Sequence, residues 1–244
     1  QFPQKKFFNE FSYNPEIVTD TIKFWIKAQE KINQDKKLRF FKTHNAFGAL
    51  NNFDFTNKDN SIGCVYVVRD PRNVITSLKN FYEMNDDQAF KWITNKNQYI
   101  YDVNKFEKDG YSDFQFISSW DTNFESWKIQ KKIPIKIIRY EDLLNQTFKV
   151  LNEVIAFINQ TTNSKEKINK NKIKNAVNSS SFSKLKDKEK NKGFSEAPMT
   201  KSRDKKIPFF NLGPKNNWKI ILNDDLKDKL NNIFKKKLEE LSYD

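Results

Sequence analysis

The stretch IGCVYVVRDPRNVITS, residues 62–77, decides the fold. Its first half is almost continuously apolar and rich in β-branched side chains, the pattern of a parallel-sheet strand covered on both faces. Arg69 follows, then Asp70, a favoured N-cap, then Pro71 at the first helical position. A buried strand therefore runs into a capped helix at the carboxyl edge of a sheet. Such a helix start presents free backbone N–H groups and a positive dipole end, which suits an anion. Arg69 adds a bidentate fork for phosphate, and Ser77 lies two turns along the same helical face. Taken alone, these residues leave two readings open: an anion site, or a plain strand-to-helix turn with a surface arginine.

Working outward, IPIKIIRY (residues 133–140) repeats the apolar strand character, and LRFFKTH (38–44) is a third strand candidate. Helices are predicted over 14–33, 73–83, 119–130, 142–159 and 224–241. The fourth carries Leu143, Leu144, Phe148, Leu151, Val154, Ile155 and Ile158 in a 3.6-residue stripe. Strands alternating with helices argue an α/β fold with a mostly parallel sheet. Neither an internal repeat nor a second core is visible, so residues 1–244 read as one domain.

Composition narrows the classes. With 15% aromatic residues, including 23 Phe, the chain is no disordered tail, despite a mean hydropathy of −0.84. A single cysteine, Cys64, excludes a disulfide scaffold, a Cys-based zinc site and an iron–sulfur cluster. No apolar run approaches the roughly 18 residues of a membrane span. Of 44 basic residues 39 are Lys, so the net charge of +13 has two explanations, base composition or a polyanionic partner. Residues 161–206 hold 14 Lys or Arg against 5 Asp or Glu, and read as a mobile, lid-like region. Gln1 opens the chain with no capped element before it, so the expectation is a fragment.

His44, the only histidine, ends the 38–44 run with Lys42 on the same strand face. Imidazole can take a proton from an alcohol near neutral pH, but a lone histidine is equally at home as a structural residue. One His without Cys partners makes no zinc shell. Tyr140 ends its strand just before a helix, placed either to stack on a nucleobase or to fill the core. SSSFSKL (179–185) and NLGPKNNW (211–218) are ligand-wrapping segments or simple loops on their residues alone.

In order, these pieces resemble the PAPS-dependent sulfotransferases of the cytosolic type. KTH (42–44) is similar to the strand carrying that family's catalytic histidine. YVVRDPRNVITS resembles its 3′-phosphate motif, with Arg69 and Ser77 at the phosphate-binding positions. IIRYEDLL places Tyr140 by the adenine; SSFSKL places Ser180, Phe182 and Leu185 around adenine and ribose. GPKNNWK resembles the closing glycine loop, with Gly213 and Trp218 in register.

The resemblance implies a P-loop-NTPase-like three-layer sandwich with a central, mostly parallel sheet flanked by helices. It also implies sulfuryl transfer from 3′-phosphoadenosine 5′-phosphosulfate (PAPS), without a metal, to a hydroxyl or amine. His44 is then the general base and Lys42 a charge stabiliser. A small-molecule, glycan or lipid acceptor, a cytoplasmic setting and no nucleic-acid partner are expected with it.

Two departures stand out. No Lys-Ser-Gly-type turn for the 5′-phosphosulfate is present, so a segment upstream of Gln1 is expected to carry it and catalysis by this fragment to be incomplete. The closing loop reads Asn211-Leu212-Gly213 where the family has Arg-Lys-Gly, so two cations are missing. The alternatives are a basic nucleic-acid-binding module, which lacks any recognised signature here, and a P-loop kinase-like protein, which lacks GxxxxGK[ST].

Overall fold

The computed structural model describes residues 1–243. In chain order its elements begin with α1 (Trp25–Asn33), β1 (Ala49–Leu50), β2 (Phe53–Asp54), β3 (Cys64–Val68) and α2 (Pro71–Phe81). Then come α3 (Asp86–Thr94), β4 (Tyr99–Ile100), α4 (Val103–Asp109), β5 (Gln115–Phe116), α5 (Trp120–Ile129) and β6 (Ile135–Arg139). The remaining α-helices are α6 (Tyr140–Asn145), α7 (Thr147–Thr161), α8 (Lys170–Ser179), α9 (Phe182–Lys192), α10 (Trp218–Ile221) and α11 (Asp224–Glu240). The chain forms two compact units. One holds Gln1–Cys64 and Thr94–Ile135; the other holds Val65–Ile93 and the chain from Lys136 on.

The second unit is built on β3 and β6, which pair in parallel. Val68 and Ile138 are buried near their carboxyl ends. Each strand runs straight into a helix, β3 into α2 and β6 into α6. Helix α11 repeats apolar residues every fourth position, and Leu226, Leu230, Phe234 and Leu238 are all buried on the stripe that packs against α2. A capped start at Asn223, whose side chain accepts from the Leu226 N–H, fixes where that helix begins. The predicted helix over 142–159 is two helices, because Gln146 leaves helical geometry at φ −131°.

The first unit carries two short antiparallel pairs, β1 with β2 (Ala49 opposite Asp54) and β4 with β5 (Tyr99 opposite Phe116). Its core is aromatic: Phe8, Trp25, Phe55, Tyr111, Phe114, Phe124 and Trp127 are all buried, with Trp25 and Phe55 edge to face at 5.3 Å.

Two expectations change. Residues 38–46 form no strand, because their backbone groups bond elsewhere than to a ladder. The Lys42 carbonyl accepts from the Phe2 N–H (3.0 Å), and the His44 N–H donates to Gln115 Oε1 (2.8 Å). The lysine-rich stretch contains two helices, α8 and α9, rather than an open lid. Buried Ile173 and the Asn169 cap, which accepts from the Lys172 N–H, anchor the first of them.

Cys64 opens β3, and burial pushes its thiol up to about 12. The thiolate is the reactive form, so at pH 8 the folded chain should be alkylated about a thousandfold more slowly than the urea-unfolded chain. Timed iodoacetamide labelling checks this; equal rates would mean that the strand end is open to solvent.

Candidate functional site

The junction of β3 and α2 differs in one respect from its reading as a free helix end. Asp70 caps the helix by accepting from the Arg72 N–H (2.8 Å), while the Asn73 and Val74 N–H groups both donate to the Asp70 carbonyl (2.9 Å each). Pro71 has no N–H, and the Asp70 N–H donates to Glu141 Oε1 at 3.3 Å. The first turn's donors are therefore taken up within the chain, by the carboxylate and the carbonyl of the residue that starts the helix. Anion binding at this edge falls to side chains.

Arg69 and Tyr140, which follow β3 and β6, come together there. The guanidinium carbon of Arg69 lies 4.3 Å from the Tyr140 ring centre, a cation–π stack that holds both half-buried side chains in place. Arg72, by contrast, is buried. It grips the Asp70 carboxylate through Nε (3.0 Å) and Nη2 (2.8 Å), and also donates to Asn231 Oδ1 (2.9 Å) and the Tyr243 carbonyl (2.6 Å). Its flat face lies 3.9 Å from the Trp218 ring. Tyr243 is itself buried, donates its hydroxyl proton to the Val68 carbonyl (3.3 Å), and lies under Arg139. Burial first, and then the charge of Glu141, push the Tyr243 phenol well above its ordinary value, so it stays a neutral donor. Arg72, Glu141 and Tyr243 escaped the sequence reading; the pairing that reveals them spans 171 residues between Arg72 and Tyr243.

Ser77, on the exposed side of α2, meets the segment that follows Gly213. Asn216 Nδ2 donates to the Asn73 carbonyl (3.0 Å) and to Ser77 Oγ (3.3 Å), while Thr76 donates to Asn216 Oδ1 (2.7 Å). The Trp218 N–H donates to Asn73 Oδ1 at 3.0 Å. Gly213 has φ +53°, and a Cβ there would fall 2.2 Å from the Phe182 ring, so only glycine fits. Phe182 and Gly213 are thus in contact. Lys186 Nζ donates to the Asn211 carbonyl at 3.1 Å, which brings a cation from α9 to the stretch just before Gly213. Ser180 is the exposed C-cap residue of α8, its hydroxyl bonded back to the Ala176 carbonyl (2.7 Å), and Leu185 is half-buried on α9.

Lys42 and His44 belong to the other unit, where both are exposed. The backbone of His44 is held from two sides, its N–H by Gln115 and its carbonyl by Asn123 Nδ2 (3.1 Å). Gln115 and Asn123 are buried, so this anchor is rigid although the imidazole faces outward. The chain beyond it turns into an apolar pocket lined by Trp25, Phe47, Leu50, Phe55 and Phe116. Among the described residues, no helix is long and apolar enough to cross a membrane.

A family model described as "Sulfotransferase domain" matches residues 2–242. Among solved structures, mouse sulfotransferase SULT7A1 complexed with PAP is similar at 17% identity and a TM-score of 0.48. That match covers 71% of this chain and 58% of the mouse chain. No curated protein matches the sequence. The fold is the expected α/β one, with parallel β3 and β6 at its centre. With nearly its whole length inside the family model, the chain belongs to the sulfotransferase domain family.

Proposed function

We propose that this protein transfers a sulfuryl group from PAPS to a hydroxyl or amine of a small-molecule, glycan or lipid acceptor. The observation that carries the reading is the donor set at the carboxyl edge of β3. There the Arg69 guanidinium and the exposed Ser77 hydroxyl flank a helix whose own N–H groups are occupied. Guanidinium and hydroxyl are both donors, which fits a phosphate. The donor supplies an activated sulfur, on which the acceptor oxygen forms a bond as the bond to the phosphate oxygen breaks.

In this reading Arg69 and Ser77 hold the 3′-phosphate, and that remote binding positions the reacting end. Tyr140, Ser180, Phe182, Leu185 and Gly213 surround the nucleoside, and Lys186 stands in for the missing cations of the closing loop. His44 receives the acceptor proton, and Lys42 offsets the negative charge that develops on the departing oxygen. A cytoplasmic setting and a single domain over residues 1–244 complete the proposal.

Replacing Arg69 removes a bidentate, charge-assisted contact. Arg69→Ala should weaken adenosine 3′,5′-bisphosphate by about 2–4 kcal/mol, tens- to several-hundred-fold. Calorimetry on the variant, with circular dichroism to show that it is folded, tests this; an unchanged dissociation constant removes Arg69 from the site.

A further inference from the structure

We infer that Asn216 is a positioning residue for the 3′-phosphate: it sets the polarity of the Ser77 hydroxyl so that its proton is left for the anion. The inference rests on the proposed role of Ser77. Which way the Asn216 amide faces is decided by its neighbours. The Asn73 carbonyl, 3.0 Å away, can only accept, so the atom facing it is the NH₂ group. Oδ1 then faces Thr76, whose hydroxyl donates to it at 2.7 Å. The second Nδ2 proton points at Ser77 Oγ, 3.3 Å away, and occupies a lone pair of that oxygen. Every polar group of Asn216 is accounted for.

The Ser77 proton has one partner, the Asn73 carbonyl, at 3.3 Å. That carbonyl already accepts a shorter bond from Asn216 (3.0 Å) and, inside α2, the helical N–H four residues on. Its two lone pairs are thus taken, and the Ser77 hydroxyl makes a long third bond to it. Turning its proton to a phosphate oxygen therefore gives up little and gains a charge-assisted bond. Asn216 lies three residues past Gly213, whose backbone touches Phe182, so the same short segment contacts the nucleoside end and orients the phosphate end.

The test uses the full chain and two probes, adenosine 3′,5′-bisphosphate and adenosine 5′-monophosphate, in calorimetry on wild type, Asn216→Ala, Asn216→Asp, Ser77→Ala and Ser77→Ala/Asn216→Ala. Asn216→Ala should weaken the bisphosphate about tenfold and the monophosphate less than about twofold. Asn216→Asp, which offers an acceptor where a donor stood and adds a like charge beside the phosphate, should weaken the bisphosphate about a hundredfold. In the Ser77→Ala background, Asn216→Ala should cost less than about twofold more, because the two act through one hydroxyl. A merely structural asparagine would weaken both nucleotides alike, or would add its full loss in that background; either result overturns the inference. If Ser77→Ala leaves bisphosphate affinity unchanged, or wild type does not distinguish the two nucleotides, the phosphate site itself is wrong and the inference falls with it.

Discussion

Replacing His44 with alanine is expected to lower turnover by about 10²–10⁴-fold while leaving adenosine 3′,5′-bisphosphate affinity within a factor of about two. The split follows from the architecture. His44 belongs to a different unit from Arg69 and Ser77, so the proposed base and the proposed phosphate anchors sit on separate scaffolds. Its backbone is fixed by Gln115 and Asn123, contacts that the substitution does not touch, so the variant should fold. Lys42→Ala should also slow turnover, and the double variant should lose less than the product of the single losses, since both groups serve one transition state. Turnover and nucleotide affinity measured on the same preparations decide the matter. Near wild-type turnover in His44→Ala would make the imidazole a structural residue.

The largest effect on stability is expected at Arg72. With Asp70 it forms a buried ion pair, both residues being about 5% exposed or less. Removing one partner of such a pair leaves an uncompensated charge, which typically costs about 3–5 kcal/mol. Arg72→Ala should therefore shift the urea midpoint strongly downward, and it also strips the Trp218 ring of its stacking partner. Asp70→Asn/Arg72→Met removes both charges and keeps a capping side chain, so it should lie much closer to wild type. Should the double variant be as unstable as Arg72→Ala, the cost comes from lost packing and not from an orphaned carboxylate.

What could be read in advance divides along physical lines. The strands β3 and β6 announce themselves as apolar runs, and α2 and α11 by cap and periodicity, because each is specified by neighbours a few residues away. The places of Arg69 and Tyr140 in the fold were legible for the same reason: each follows a strand where a helix begins. The two-residue strands β1, β2, β4 and β5 are too short to carry a period. Helices α8 and α9 were hidden by composition, since Lys and Asn fill their exposed faces and each offers few apolar residues. The free helix end expected at Asp70 vanished because the N-cap that betrays the helix also consumes its donors. Asn216 and Tyr243 reach across 139 and 175 residues to Ser77 and Val68, distances at which no local pattern operates.

The interleaving of the two units has a consequence for biogenesis. The chain leaves the first unit after Cys64, returns to it at Thr94, and leaves it for good after Ile135. On a ribosome, β3 emerges long before β6, and its ladder edge stays unpaired until that partner arrives. Arg72 waits longer still, for a carbonyl 171 residues downstream. The first unit can close once Ile135 has emerged, but the second stays open until the chain from Lys136 on has been made. Holdase chaperones that cover exposed β3 during synthesis should therefore raise the soluble yield more than slower translation does.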